Sequence, residues 1–180
     1  MSSTVLHFAL DHLPTPIGDF YLVADDQGNL RATFWTEQES EQRRFLARHY
    51  APARIELTPA RNPHGLTDRL AAYFAGNLHS INAIPVRTAG TQFQQTVWRA
   101  LRDIPCGTTT SYGELARRLG QPAAVRAVGT ANGANPIGVV VPCHRVIGAN
   151  GSLTGYGGGI ERKRWLLEHE GVHPRDARLF

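Results

Sequence analysis

The hydrophobic pattern of this 180-residue chain changes near Ala89-Gly90. Before that point, short runs rich in β-branched and aromatic residues alternate with turn residues, which is typical of strands. After it, apolar residues recur at three- and four-residue spacing, which is typical of helices. A run of strands followed by a run of helices favours separate domains. We therefore predict an α/β domain over residues 1–88 and a mainly α domain over residues 89–180.

The N-terminal half carries the signals of a sheet with helices. Apolar runs bounded by turn residues predict strands at residues 5–10, 20–24 and 30–35. Helical spacing predicts helices over residues 38–50 and 66–74. The Pro-rich stretch between those helices, residues 51–65, is predicted to be a loop.

Two helix-start signals follow in the C-terminal half. Thr91 with Gln94, and Ser111 with Glu114, each match a capping box, in which side chains satisfy free amide groups of the first helical turn. Helices are therefore predicted to begin after Thr91 and after Ser111. The first of them presents an apolar face made by Phe93, Val97, Leu101 and Ile104.

A third helix is predicted over residues 123–132, because Gly120 can end its predecessor and Pro122 suits a first helical position. Two short helices around a glycine turn match the helix-turn-helix pattern, which also occurs in helical hairpins with no DNA role. This third helix carries small residues and a single charge, Arg126. Such a helix suits shape-based contact with DNA, or packing in the core, better than reading of base edges.

Charge is unevenly distributed along the chain. Residues 1–90 hold 8 Lys and Arg against 9 Asp and Glu, whereas residues 91–180 hold 11 against 6. A basic C-terminal half indicates either a polyanionic partner such as DNA or RNA, or an ordinary solvated surface. The hydrophobic fraction of 42% indicates a folded core. Neither a membrane span nor a signal peptide is recognisable, so we expect a soluble cytoplasmic protein.

The stretch from Asn135 to Val146, NPIGVVVPCHRV, carries the most informative chemistry. Its apolar run at residues 139–141 predicts a buried strand that delivers Cys143 and His144 directly after a proline. An imidazole beside a thiol can generate the nucleophilic thiolate. Neighbouring strand residues point to opposite faces, so this pair requires a bend or a bridging water. The alternative is a buried cysteine that only packs.

Two further features lie nearer the C-terminus. The Gly-rich loop over residues 148–159 matches no phosphate-binding fingerprint, and its Tyr156 can either stack on a base or anchor the loop. Glu170 follows the predicted helix 160–169 on its apolar face, where a carboxylate needs a partner. It can orient His144 as in a catalytic triad, or simply belong to a solvated helix end.

These motifs together resemble the O6-alkylguanine-DNA alkyltransferase family, of the bacterial Ogt type. The resemblance rests on PCHRV at 142–146, preceded by NP at 135–136 and followed by GYGG at 155–158 and WLLEHEG at 165–171. It extends more weakly through FAGNL at 74–78 and TPIG at 15–18. It implies a structural N-terminal α/β domain with a ribonuclease-H-like sheet. It also implies a winged-helix-like C-terminal domain with a helix-turn-helix.

The resemblance implies direct-reversal DNA repair without a cofactor. Cys143 would accept the alkyl group of O6-alkylguanine, or of O4-alkylthymine, irreversibly and once. His144 would act through a water as its base, and Glu170 would polarise His144. Tyr112 would donate a proton towards the departing guanine ring.

The implied partner is double-stranded DNA, bound by a monomer, singly or cooperatively, through the minor groove with the damaged base flipped out. Arg126 would enter the base stack, and the helix with Ala127 and Thr130 would lie in the groove. Residues expected around the flipped base are Asn135, which would brace the turn before Cys143, and Val146, Tyr156, Gly157 and Gly158.

Two departures from the family pattern matter. No cysteine precedes Cys106, so the zinc site of some members is not expected here, and the adjacent Cys-His pair does not match metal-ligand spacing either. Gly157 stands where other members have a small hydroxyl residue, so that contact is either missing or made by a backbone N–H. The alternatives are a Cys-His-Glu hydrolase, which would turn over without DNA, and a helix-turn-helix regulator, which would prefer a DNA sequence.

Overall fold

The computed structural model describes residues 4–174 and divides after Gly90 into two compact units. The sequence predicts a boundary after residue 88. The N-terminal unit is built on a mixed sheet, and the C-terminal unit is mainly helical. None of the helices in the described part of the chain is long and apolar enough to cross a bilayer.

In the described part of the N-terminal unit, residues 4–90, there are four strands and two α-helices. They are β1 (Val5–Thr15), β2 (Gly18–Ala24), β3 (Leu30–Trp35), α1 (Glu39–His49), β4 (Arg54–Pro59) and α2 (Leu66–Phe74). The sheet order is β3-β2-β1-β4, with β1 antiparallel to β2 and parallel to β4. The three predicted strands and both predicted helices are confirmed.

The prediction of a loop over residues 51–65 is wrong in part, because β4 lies inside it. This strand is at the edge of the sheet and pairs with β1, so that Ile55 lies opposite Leu6 and Leu57 opposite Phe8. None of its residues is fully buried. A short, half-exposed edge strand next to a proline gives only a weak alternating pattern.

Alternate strand residues point to opposite sides of the sheet, and apolar side chains occur on both sides. Each face of the sheet is therefore covered by a helix. On one face α1 contributes Leu46 to a buried cluster with Phe8, Val23, Ala32 and Phe34. On the other face α2 places Phe74 against the rings of Phe20 and Trp35, at centroid distances of 5.8 and 6.3 Å.

Over residues 91–174, the C-terminal unit contains four α-helices and two short strands. They are α3 (Gln92–Arg102), β5 (Thr110–Ser111), α4 (Tyr112–Arg118), α5 (Val125–Gly133), β6 (Val146–Ile147) and α6 (Ile160–His169). The predicted helices are all present. Helix α5 begins later than predicted, because Pro122 lies in a turn closed by a 2.9 Å bond from Ala124 N to Gln121 O.

The capping boxes form to different extents. At α3, Gln94 N donates to Thr91 Oγ1 at 3.2 Å, and Thr91 N donates to Gln94 Oε1 at 3.0 Å, so the box is complete. At α4, Glu114 N donates to Ser111 Oγ at 3.1 Å. The Glu114 carboxylate is turned to Arg118 instead, whose Nε donates to it at 3.1 Å.

The predicted buried strand at residues 139–141 is wrong in its backbone and correct in its burial. All three residues are buried, but they lie in turns. Val139 has a φ of 72°, and Val140 N donates to Gly138 O at 2.9 Å. An apolar run indicates that a segment is buried, but it does not indicate the conformation of the backbone.

Two contacts within the C-terminal unit position the elements around Cys143. Trp98 of α3 donates from Nε1 to the Ala131 carbonyl of α5 at 2.8 Å. Strands β5 and β6 pair in parallel, with Thr110 beside Val146. Because α4 follows β5 directly, this pairing brings Tyr112 to the segment that follows Cys143.

Candidate active site

Cys143 follows a sharply bent segment. Val139 has a φ in the left-handed region, which β-branched residues rarely adopt. Cys143 N then donates to Val141 O at 2.8 Å across Pro142, whose φ of −83° and ψ of 64° define an inverse γ-turn. A 3₁₀ turn begins at Cys143 itself. The chain is therefore bent where a nucleophile and the following His144 must share one site.

Asn135 braces this bend with both ends of its side chain. Its Nδ2 donates to Val141 O at 2.7 Å, and its Oδ1 accepts from Ile137 N at 3.0 Å. The same amide is hydrogen-bonded to the Cys143 thiol and lowers the pKa of that thiol. One side chain thus ties the start of the turn to its end and to the sulfur.

His144, Arg145 and Glu170 form a buried network. His144 Nε2 lies 2.9 Å from Glu170 Oε1. Arg145 donates to the same carboxylate twice, from Nε to Oε2 and from Nη2 to Oε1, both at 2.9 Å. Its Nη1 donates to the Ile104 carbonyl at 2.7 Å. Glu170 is therefore a buried partner of His144, and it does not belong to a solvated helix end.

Charge states within this network follow from burial and partners. Burial would raise the pKa of Glu170, but the His144 ring and the Arg145 guanidinium hold it well below its usual range, so the carboxylate is ionised. Burial lowers the pKa of His144 despite the pull of Glu170, so the ring is neutral at neutral pH. A neutral ring that donates from Nε2 to Glu170 keeps its lone pair on Nδ1.

Cys143 and that lone pair supply a nucleophile and a base. Cys143 is 7% exposed, and burial raises the pKa of its thiol. The thiol is therefore protonated at neutral pH and needs a base. His144 Nδ1 is buried and bonded to no atom of residues 4–174, so it can serve as that base directly or through water.

Lys163 is fully buried on α6 beside this centre. Its Nζ donates to Val146 O at 2.6 Å, Thr154 O at 2.7 Å and Gly155 O at 3.4 Å. Burial lowers its pKa to about 8, while the nearby Cys143 sulfur opposes this change. In return, the ammonium lowers the pKa of the Cys143 thiol. Lys163 therefore fixes two backbone segments and favours the thiolate.

Tyr112 is held between α5 and the Gly-rich loop. A Cβ added to Gly129 of α5 would lie 3.7 Å from the nearest Tyr112 ring carbon, which is ordinary contact. The Tyr112 hydroxyl accepts a hydrogen bond from Thr154 Oγ1 at 3.2 Å. Gly129 and Thr154, like Cys143, belong to the C-terminal unit, so Tyr112 lies in the same unit as the cysteine.

Helix α5 has one buried face and one exposed face. Val128, Ala131 and Asn132 are buried. Arg126, Ala127 and Thr130 are exposed, and the Thr130 hydroxyl bonds back to Arg126 O at 3.1 Å. The exposed face is therefore smooth, with one long cationic side chain. The alternative, a small-residue helix packed in the core with Arg126 at its edge, agrees with the buried face and not with the exposure of Ala127 and Thr130.

The remaining predicted residues lie in β6 and the loop after it. Val146 is fully buried, and its carbonyl is held by Lys163. Tyr156 is half-buried, and burial raises the pKa of its phenol, with the Cys143 charge acting in the same direction. Gly157 is exposed, and the Gly158 carbonyl accepts from Arg162 Nη1 at 3.1 Å.

Sequence reasoning missed Arg145, Lys163 and Thr154. For Lys163 a signal exists, because it is the only lysine and precedes the buried Leu166 by three residues, which places it on the buried helix face. For Arg145 the only signal is its position beside His144. Thr154 carries no signal at all, since its role depends on contacts with Tyr112 and Lys163.

Comparisons with known proteins agree with this geometry. A family model described as "6-O-methylguanine DNA methyltransferase, DNA binding domain" matches residues 92–172. A second, described as "6-O-methylguanine DNA methyltransferase, ribonuclease-like domain", matches residues 11–88. Together the two models cover most of the chain, with one model on each compact unit.

Individual relatives are similar over most of their length. The chain is 53% identical over 167 residues to the methylated-DNA–protein-cysteine methyltransferase of Salmonella typhimurium, covering 93% of this chain and 98% of that protein. It resembles the crystal structure of Mycobacterium tuberculosis OGT in complex with DNA, with a TM-score of 0.75 and 46% identity over 91% of this chain and 93% of that one. The chain therefore belongs to the 6-O-methylguanine DNA methyltransferase family.

Proposed function

We propose that this protein repairs DNA by direct reversal, moving the alkyl group of O6-alkylguanine, or of O4-alkylthymine, to its own Cys143. The observation that carries the proposal is the buried pair of His144 and Glu170 at 2.9 Å, directly after a buried cysteine. The relatives named methylated-DNA–protein-cysteine methyltransferase support the same reaction class.

The transfer begins with the thiol proton. His144 Nδ1 takes this proton through a bridging water. Glu170 holds the ring in orientation and stabilises the imidazolium that forms, and Arg145 keeps the Glu170 carboxylate ionised. The Cys143 sulfur attacks the alkyl carbon, so an S–C bond forms while the bond from that carbon to O6 breaks. The electron pair of the broken bond passes to the guanine ring, which Tyr112 protonates. The imidazolium proton returns to the Tyr112 oxygen through solvent.

The product explains why the protein acts once. The thioether formed at Cys143 is inert, because its cleavage would require a nucleophile to attack the alkyl carbon and expel the Cys143 thiolate, a poor leaving group there. None of the steps above supplies such an attack. One protein molecule therefore removes one alkyl group, and the reaction needs neither metal nor organic cofactor. This distinguishes the proposal from a Cys-His-Glu hydrolase, which regenerates its thiol.

DNA is the proposed partner, supported by the DNA binding domain model and by the solved complex of a relative with DNA. The small exposed residues of α5, Ala127 and Thr130, allow close approach to a minor groove. Arg126 projects from that smooth face and fills the stack when the damaged base flips out. A single copy of the chain contains all of these groups, so we propose that it binds as a monomer, singly or side by side.

The flipped base enters a pocket bounded by β6 and the Gly-rich loop. Val146 and Cys143 supply main-chain groups for its edge, and Tyr156 flanks its ring. Gly157 and Gly158 allow the backbone to approach, and the Gly157 N–H replaces the hydroxyl found in other members. Asn135 keeps the preceding turn in shape.

The division of labour follows the two units. Residues 89–180 carry DNA binding and transfer on a winged-helix-like framework, supported by the helix pair α4–α5 and the short β5–β6 pair. Residues 1–88 are structural, with a ribonuclease-H-like sheet, supported by the name of the matching family model. We place the protein in the cytoplasm, consistent with two free cysteines.

A titration tests the proposal. Increasing protein is mixed with a fixed amount of duplex containing one O6-methylguanine, and restored guanine is counted. We expect one guanine restored per protein molecule and none with Cys143→Ala. Restoration of many guanines per molecule, or restoration by Cys143→Ala, would overturn the proposal.

A further inference from the structure

Thr154 connects two parts of the site through separate polar groups. Its hydroxyl donates to the Tyr112 hydroxyl at 3.2 Å. Its backbone carbonyl accepts from Lys163 Nζ at 2.7 Å. Thr154 therefore joins a buried, rigid lysine on α6 to the tyrosine that begins α4, although it belongs to neither helix.

The Tyr112 ring lies opposite Gly129 of α5. A Cβ added to Gly129 would lie 3.7 Å from the nearest ring carbon, an ordinary contact distance, so the glycine leaves space beside the ring. Within residues 4–174, Thr154 is the one side chain that bonds to the Tyr112 hydroxyl. The orientation of that hydroxyl therefore depends on Thr154, and the position of Thr154 depends on the three carbonyl bonds made by Lys163.

The two hydroxyl groups can share one hydrogen bond in either direction. When Thr154 donates, the Tyr112 oxygen accepts and directs its own proton elsewhere. The donor also stabilises the negative charge that this oxygen gains when its proton leaves. The 3.2 Å separation is long for two hydroxyl groups, and such bonds commonly shorten when a reacting complex forms.

Resting on the proposed function, we propose that Thr154 is a positioning residue for the proton donor Tyr112. As the S–C bond forms and the bond to O6 breaks, the electron pair moves into the guanine ring and Tyr112 transfers its proton there. The hydroxyl of Thr154 then holds the Tyr112 oxygen, which stays negative until the His144 proton reaches it through solvent. Thr154 touches neither the alkyl carbon nor the sulfur in this scheme.

A double-mutant cycle tests this role. Single-turnover rate constants with an O6-methylguanine duplex are measured for the wild type, Thr154→Val, Tyr112→Phe and the double variant. Valine keeps the shape of threonine and removes the hydroxyl. We expect Thr154→Val to slow transfer about five- to tenfold, the value of one lost hydrogen bond. In the Tyr112→Phe background the same change has no further effect.

Two controls separate positioning from general damage. Thr154→Ser keeps the hydroxyl and should restore a rate close to wild type. Ser152→Ala removes a hydroxyl from the same loop whose partner is Asn150, and it should leave the rate unchanged. Thermal unfolding and DNA binding of all variants show whether the fold is retained.

The results that would overturn the role of Thr154 differ from the result that would overturn the proposed function. An equal slowing by Thr154→Val with and without the Tyr112 hydroxyl would overturn the inference and indicate a structural effect. A wild-type rate in Thr154→Val would overturn it as well. Failure of the wild-type protein to take up any methyl group would instead remove the proposed function, and this inference with it.

Discussion

Glu170 Oε1 lies 2.9 Å from His144 Nε2, and both side chains are fully excluded from solvent. Arg145 donates two further hydrogen bonds to the same carboxylate. These contacts help to keep one buried charge in place. Because this carboxylate contacts the proposed base His144 and also neutralises a buried arginine, we expect it to link reactivity to stability.

Replacing Glu170 with Gln should damage both properties. Arg145 would remain buried without an anionic partner, and removing one partner of a buried ion pair lowers the free energy of unfolding by about 3–5 kcal/mol. Transfer should slow by roughly 100-fold or more, because the base loses its orienting group. Urea unfolding and single-turnover kinetics measure the two effects.

Glu114→Gln is the matched control for stability. Glu114 pairs with Arg117 and Arg118 on the protein surface, where an ion pair contributes about 1 kcal/mol or less. Similar losses of stability in Glu170→Gln and Glu114→Gln would contradict the buried network.

The buried Lys163 should make stability depend on pH. Its folded pKa of about 8 lies below the ordinary 10.5, so between these values the unfolded chain binds a proton that the folded chain does not. The free energy of unfolding therefore rises with pH in this window, by about 1.4 kcal/mol per pH unit. Lys163→Met lacks this contribution. The difference in free energy of unfolding between the wild type and Lys163→Met should therefore increase from pH 8 to pH 10. Parallel curves of this free energy against pH would show that burial does not change the pKa of the lysine.

Arg126→Ala should separate base flipping from chemistry. The side chain is exposed on α5, away from the buried network, so its loss leaves Cys143, His144 and Glu170 intact. Repair of a duplex should slow markedly, while reaction with free O6-methylguanine base stays near wild type. Equal slowing of both reactions would remove the role of Arg126 in the base stack.

Local patterns in the sequence were sufficient for most of the secondary structure. The helix 160–169 coincides with α6, and the complete capping box at Thr91 marks the start of α3. These helices depend on residues that are close in the chain or on a repeated spacing. For Glu170, helical spacing leaves both a partnership with His144 and a solvated helix end open, and the family resemblance implies the partnership. The structure brings His144 and Glu170 into contact.

Features that depend on tertiary contacts were not predictable. The edge strand β4 is defined by pairing with β1, and the apolar run before Cys143 turns because Asn135 satisfies its backbone at both ends. Thr154 gains its contacts only when the loop folds over Lys163. No local pattern encodes such partners, since they are distant in the sequence or placed by the main chain.

The mass of the peptides after reaction shows whether Cys143 itself accepts the alkyl group. The protein is mixed with an equal amount of duplex containing one O6-methylguanine, digested and analysed, with Cys106→Ser as a parallel sample. We expect one added methyl group on the peptide containing Cys143, in both proteins, saturating at one per molecule. A methyl group on Cys106, or no adduct although the lesion is repaired, would contradict it.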